Sequence, residues 1–373
     1  MAERPLVIVG LSGGVDSSVA ALRLLEAGYR VEGLFMFNWE DPESDCDAAQ
    51  DFQDARSVCE ELGIPLHRVS FAAEYRDQVF RHFLDEYAAG RTPNPDILCN
   101  REIKFRHFFR HAQRLGADWI ATGHYARIAH TPEGSRLLAA ADHAKDQTYF
   151  LHAIDPEALA RTLFPLGDLT KPEVRQIAEN AGLCTARKKD STGICFIGER
   201  DFNAFLGRYL PARPGPMVDS DGHEVGVHQG LMFYTLGQRK GLGLGGCREG
   251  AESPWYVLDK DLVHNRLIVG QGHDHPRLLA HTLWTETPHW LIRDPLRQSA
   301  QCLQAKVRYR QSAQDCRMTP EGAGLRVDFE TPQWAVTPGQ SVVFHAGEQC
   351  QGGAVIRDRL TLDRSPSLLE LHA

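Results

Sequence analysis

The first two hundred residues switch repeatedly between two hydrophobic periods. LVIV at 6–9 is an unbroken apolar run, and SSVAALRLLEAG at 17–28 spaces its apolar side chains as a helix does. RVEGLFMF (30–37) reads as a second strand, DAAQDFQDARSVCEELG (47–63) as a helix closed by Gly63, and PLHRVSF (65–71) as a third strand. YRDQVFRHFLDEYAAG (75–90) and REIKFRHFFRHAQRLG (101–116) read as helices around a TPNPD loop, and ADWIATGH (117–124) as a strand. This rhythm predicts an α/β fold, a doubly wound and mostly parallel sheet with helices on both faces. A hairpin-like segment is expected over 135–154. TKPEVRQIAENAGL (170–183) opens a helix on a capping box, Thr170 with Glu173.

After PARPGP (211–216) the strands shorten and turns crowd in: DSDGH, GLGLGG, DKD, PEGAG, TPGQ. A second break falls at GHDHP (272–276). The expected division is a catalytic domain over 1–210, a small β-rich central domain over 211–275 and a C-terminal β-barrel over 276–373. The length of 373 residues suits two or three domains, and 42% hydrophobic with 24% charged residues is ordinary for a globular chain. No stretch approaches a membrane span and the N-terminus has no secretory pattern, so a cytoplasmic protein is expected.

Nine cysteines (46, 59, 99, 184, 195, 247, 302, 316, 350) are scattered without a C-x-x-C pair. That pattern counts against a zinc site and a disulfide framework, and no metal ligand set is expected from the histidines. The formal net charge of -8 counts against wholesale phosphate binding. Any nucleic-acid contact must then use local clusters: Arg101, Lys104, Arg106 and Arg110; Arg187 to Lys189; Arg239 and Lys240; Arg308 and Arg310.

The densest chemistry lies in GLSGGVDSS, between the first strand and the first helix. Glycines there let backbone amides approach a phosphate at a helix N-terminus. There is no lysine for a Walker loop, and Gly10, Gly13 and Gly14 do not fit the Rossmann spacing. Ser12, Gly13, Gly14, Val15, Asp16 and Ser17 instead resemble the PP-loop of ATP pyrophosphatases, which implies ATP cleaved between the α- and β-phosphates, with Asp16 on Mg²⁺ or capping the helix.

Two cysteines have unusual company. Cys99 follows Asn94-Pro95-Asp96 just before the basic helix, where Arg101 and Lys104 are expected to favour its thiolate, and Asp96 suits a base or a substrate hydrogen bond. Cys195, in KKDSTGICFIGER, follows three cations, although its periodicity equally fits a buried strand.

With GRTPNPDILCN, ATGHYAR, KDQTYFL, YTLGQRKGLG, VRYRQ and TPGQSVVF added, the chain resembles the tRNA-specific 2-thiouridylases of bacteria over nearly its whole length. The resemblance implies ATP-dependent 2-thiolation of the wobble uridine, position 34, with adenylation of the C2 carbonyl oxygen. It implies an ATP site at Gly10, Leu11, Ser12, Gly13, Gly14, Val15, Asp16, Ser17, Met36 and Gly123, and a target-base site at Asn94, Pro95 and Asp96. Cys195 would carry a persulfide with Cys99 as partner nucleophile. His124, Lys145, Asp146, Gln147, Arg308, Tyr309 and Gln340 would meet tRNA. A monomer served by a sulfur-donor protein, either a cysteine desulfurase or a relay protein, is expected. Phe37 stands where related sequences often carry lysine. The alternatives are a PP-loop ligase acting on a small molecule, which needs neither cysteine, and a non-catalytic tRNA-binding or sulfur-carrier protein.

Overall fold

The computed structural model describes residues 4–39, 45–190, 201–245, 253–292 and 301–364. Strands β1 (Leu6–Leu11), β2 (Arg30–Phe37), β3 (Leu66–Ser70) and β4 (Trp119–Ala121) come first. The hairpin β5 (Arg127–Thr131) and β6 (Gly134–Leu138) and the short β7 (Thr162–Leu163) follow. A wholly parallel sheet forms in the order β3-β2-β1-β4-β7. Every residue of β1 is buried, as an apolar run demands when strands flank it and helices cover both faces. Helix α1 (Val15–Glu26) buries Val15, Val19, Ala20, Ala21 and Leu24. It stops where Gly28 takes φ +87 and Tyr29 N–H returns to the Leu24 carbonyl. Helix α2 (Asp45–Leu62) then leads to β3.

The strand order reverses between β1 and β4, and ligands of open parallel sheets settle in the crevice beyond the carboxyl ends at such a point. The glycine loop leaves β1 at that end, Met36 lies near the same end of β2, and Gly123 follows β4.

A second sheet takes β8 (Gly215–Val218), β9 (Glu224–His228), β10 (Trp255–Asp261) and β11 (Arg266–Gln271) in the order β10-β11-β8-β9. The last strands are β12 (Leu279–Thr285), β13 (His289–Trp290), β14 (Gln301–Lys306), β15 (Gln314–Glu321), β16 (Gly324–Trp334), β17 (Ser341–Ala346) and β18 (Gln349–Thr361). Six of them run β12-β16-β15-β14-β17-β18, and β12 pairs with β18 to close an antiparallel barrel. Closure removes the sheet edges, and Leu283, Val307, Met318, Val327, Val342, Phe344 and Ile356 fill the interior.

The hairpin departs from the expectation for 135–154. It spans 127–138, because Thr131 Oγ1 donates to the Gly134 carbonyl (2.8 Å) and Gly134, at φ +132, makes the reversal there. Residues beyond it form turns and the one-turn helix Thr148–Leu151. The hairpin also leaves the parallel sheet altogether: β6 pairs with β18, Leu138 opposite Gln349 and Leu137 opposite Cys350. The core follows suit, since Phe83, Ile103, Phe108 and Tyr149 share one buried cluster with Phe205, Met232, Val343 and Cys350. None of the described helices is long and apolar enough to cross a membrane.

Tyr149 is buried and its hydroxyl donates to the Ser341 carbonyl in the barrel at 2.9 Å. Tyr149→Phe is expected to lower unfolding stability by about 1–2 kcal/mol, the cost of an unsatisfied buried acceptor. Urea unfolding checks it, and an unchanged midpoint would mean that this joint contributes nothing.

Candidate nucleotide and thiol site

The glycine loop is shaped by close approach. Gly13 has φ +72, and a Cβ there would lie 2.3 Å from the Asp51 carbonyl oxygen, so only glycine fits. Gly14 precedes α1 in extended conformation, and its carbonyl accepts from the Ser17 hydroxyl (3.0 Å), the Ser18 hydroxyl (2.9 Å) and Ser18 N–H (3.2 Å). Ser12 N–H donates to Ser17 Oγ at 3.2 Å. The hydroxyls thus tie the loop down while the first amides of α1 lack helical partners. Gly123 closes one side: a Cβ there would stand 2.7 Å from Ser17 N. Gly10 closes another, its added Cβ falling 3.3 Å from Met36 Cε and 3.4 Å from the Phe108 ring. These residues make a cradle that fits a nucleotide phosphate chain, with Met36 beside it.

Asp16 does not cap α1. Its carboxylate accepts from Lys171 Nζ (2.7 and 2.8 Å) and from the Tyr125 hydroxyl (2.8 Å). Lys171 also meets Asp190 at 2.8 Å, which Arg175 (2.7 Å) and Lys145 (2.9 Å) hold as well. Burial opposes ionisation of Asp190, but the hydrogen bonds from Lys171 and Lys145 prevail and bring it down to about 2. Lys188 donates to the Gly13 carbonyl (3.0 Å) and pairs with Asp51 (2.6 Å) and Asp54. Sequence reading missed Lys171 and Tyr125; Lys171 showed only as the first residue of a capped helix.

The thiol segment corrects one expectation. The helix begins at Pro95, with Asn94 as N-cap accepting from Ile97 N–H (3.4 Å), so Cys99 lies within it rather than ahead of it. Pro95, which suggests a stiff loop, acts here as a helix start, since proline at the first position forfeits no hydrogen bond. Cys99 is buried, and from it to Phe108 the chain is wound as a π-helix, a winding frequent at functional sites. Arg101 and Arg106 are both bonded to Glu102 (2.7 and 2.6 Å), which offsets one of the two charges within the helix. Burial pushes the Asp96 carboxyl up against the pull of Lys104. Burial, then Lys104, holds the His124 imidazole well below the usual histidine value. His124 is packed beside Phe105 and Phe164 and bonded to Thr122 Oγ1 at 2.7 Å. Cys195, with Ser191 through Arg200, lies outside the described residues. Burial pushes the thiols of Cys59, Cys316 and Cys350 up to about 12, which suits packing and not reaction.

The remaining candidates divide into two places. Asp146 and Tyr309 line one cavity of about 310 Å³ with Lys306, Arg310 and His345. Asp146 is buried, holding Ala140 N–H and Thr148 Oγ1, and Gln147 Oε1 accepts from Tyr125 N–H at 2.8 Å. Tyr309 sits on the turn after β14, not on a strand, with its ring 4.5 Å from Phe150. Gln340 lies elsewhere, its amide donating to the carbonyls of Thr92 (2.8 Å) and Pro93 (3.3 Å). Arg308 is turned inward, donating to the carbonyls of Leu236 (2.8 Å) and Ala335 (2.9 Å) and to Thr337 Oγ1 (3.0 Å). Burial lowers its guanidinium pKa.

Three family models match consecutive parts of the chain. They are described as the tRNA methyl transferase HUP domain (residues 5–199), the tRNA methyl transferase PRC-barrel domain (203–271) and the aminomethyltransferase beta-barrel domain (280–356). The tRNA-specific 2-thiouridylase MnmA of Sodalis glossinidius is 61% identical over 360 residues, 95% of this chain and 97% of its own. The chain belongs to the tRNA-specific 2-thiouridylase family. The family's enzyme from Klebsiella pneumoniae (strain 342) is 59% identical over 95% of this chain and 98% of its own, and that of Citrobacter koseri 58% over 97% and 100%. In family terms the parallel sheet is the HUP domain, the four-stranded sheet the PRC-barrel domain, and the closed barrel the third unit.

Arg308→Met removes three hydrogen bonds between the central sheet and the barrel and strands the Leu236 carbonyl, whereas the Ala335 carbonyl keeps the Thr337 hydroxyl at 2.8 Å. The expected loss is about 2–4 kcal/mol of unfolding stability without any RNA present. Guanidinium melts of the two proteins decide it; wild-type stability in the variant would return Arg308 to the list of surface contacts.

Proposed function

We propose that this chain is a tRNA-uridine 2-sulfurtransferase that uses ATP to replace O2 of the wobble uridine, position 34, by sulfur. The observation that carries the reading is the junction at Gly10, where the strand feeding the phosphate loop packs on Phe108 of the Cys99 helix. It sets phosphate chemistry and a thiol on adjoining elements, as the reaction needs. Family membership over nearly the full length supports it. Residues 10–17, Met36 and Gly123 bind ATP with Mg²⁺, and Asn94, Pro95 and Asp96 receive the base. Residues 1–210 form the catalytic domain, 211–275 a central domain and 276–373 the barrel that helps hold tRNA.

The uridine C2 oxygen is a poor leaving group. Its attack on the α-phosphorus expels pyrophosphate and leaves an O-adenylated ring whose C2 is electrophilic. The terminal sulfur of a Cys195 persulfide attacks C2, and the oxygen departs with AMP. Cys99 thiolate then attacks the Cys195 sulfur, the S–S bond breaks, and its electron pair stays on the sulfur bound to C2. The Cys99–Cys195 disulfide takes two electrons from an external thiol before the next cycle. Asp96, its carboxyl pushed up by burial, is suited to carry the proton lost from the base. A sulfur-donor protein reloads Cys195, and the monomer takes one tRNA.

Purified protein given ATP, sulfide and unmodified tRNA should release AMP only with tRNA, and 2-thiouridine should appear by mass at the wobble position. With a protein persulfide donor, Cys99→Ser and Cys195→Ser should lose thiolation by at least about a thousandfold while tRNA-stimulated pyrophosphate release, the adenylation step, persists for a single turnover. AMP release indifferent to tRNA, with turnover kept in both variants, would favour a small-molecule ligase instead.

A further inference from the structure

The phosphate loop contains no cation of its own. Residues 10–18 offer glycines, serines, apolar side chains and the carboxylate of Asp16. A pyrophosphate group brings several negative charges, and a helix N-terminus with free amides supplies only about half a positive charge. Two lysines from distant sequence reach the loop, and their surroundings differ.

Lys188, which reaches the Gly13 carbonyl, is the cation paired with both Asp51 and Asp54. Moving it would leave two carboxylates unbalanced. Lys171 is placed otherwise. It is the first residue of the helix Lys171–Asn180, fixed by the Thr170–Glu173 box, in which Glu173 Oε2 accepts from Thr170 N–H at 2.7 Å. Its own N–H donates to Asp142 Oδ2 at 3.0 Å, so the backbone stays put whatever the side chain does. Its ammonium lies on Asp16, at the first turn of α1, and on Asp190. Asp190 retains Arg175 and Lys145 if Lys171 leaves, and Asp16 retains the Tyr125 hydroxyl. Lys171 is therefore the cation that can turn to a ligand at least electrostatic cost.

We propose that Lys171 is the cation of the phosphate loop. On nucleotide binding its ammonium leaves Asp16 for the β- and γ-phosphate oxygens of ATP. When the substrate oxygen bonds to the α-phosphorus, the bond from that phosphorus to the bridging oxygen breaks. The electron pair stays on pyrophosphate, and Lys171 meets the added charge. This rests on residues 10–17 being an ATP loop.

The test is calorimetric binding of inorganic pyrophosphate, and separately of AMP, to the full chain. Wild type is expected to bind both. Lys171→Met is expected to weaken pyrophosphate by about 10–100-fold, the worth of one charge-assisted contact, while AMP stays within about threefold. Unchanged pyrophosphate affinity in a variant that still binds AMP overturns the proposal. Wild type that binds neither ligand overturns the ATP-loop reading itself. A wild-type readout covers a variant that fails to fold: the Lys171 side-chain NMR signal, assigned from its absence in Lys171→Arg, should move with pyrophosphate and not with AMP. Pyrophosphate that binds and leaves this signal in place sinks the assignment.

Discussion

The structure hangs on how residues 90–94 are held. Lys260 of the central sheet donates to the Gly90 carbonyl at 3.0 Å, Thr92 N–H donates to the Pro338 carbonyl at 3.0 Å, and Gln340 returns a hydrogen bond to the Thr92 carbonyl. Gly339 has φ +90, and a Cβ there would be 2.9 Å from Thr92 N, so the barrel turn fits flush against the segment. Each bond contributes only about 1 kcal/mol net, but together they leave the backbone little freedom. Asn94 follows at once as a helix cap, and Cys99 follows it within the helix. The position of a buried thiol in the first domain is thereby set by the second and third. A chain whose parts merely lined up along a substrate would not need that.

The same economy governs charge. The sequence suggests a basic face, yet part of its positive charge is already committed to partners within the fold. Arg308 joins the central sheet to the barrel through two carbonyls and a threonine hydroxyl, and Glu102 binds Arg101 and Arg106. A cation that satisfies buried carbonyls serves cohesion first, and its charge reaches solvent attenuated. In the cavity beside Tyr309, Lys306 is likewise paired, with Asp146 at 3.5 Å, and Arg310 lines the same cavity.

Much of this was legible in the sequence because the signals are local. The buried run before Ser12, the helical spacing after it and the glycines between them give strand, loop and helix, and the shift to short strands after 211 announces β-rich units. What was not legible depends on contacts far along the chain. Nothing near Arg127 or Leu138 says that this hairpin joins a sheet more than two hundred residues later. Pro95 reads as part of a TPNPD loop, because a proline at a helix start and one in a turn look alike until the Asn94 cap is seen. Lys171 sits about 155 residues beyond Asp16, a separation no motif spans. Arg308 pointed to a surface by its residue type, whereas the carbonyls it satisfies come from two other segments.

The group formed by Asp96, Lys104 and His124 shows what such burial does to chemistry. Desolvation disfavours charge on any group, so it raises the carboxyl and lowers the imidazole. Lys104 then acts on the two in one electrostatic direction with different consequences: it opposes the shift of Asp96 and reinforces that of His124. At neutral pH the imidazole is uncharged, with Nδ1 engaged by Thr122 and the ring against Phe105 and Phe164. An imidazole in that state cannot serve as a phosphate-binding cation. Residue 124 thus presents a fixed, neutral, aromatic-backed hydrogen-bonding edge, and the positive charge at this place belongs to Lys104.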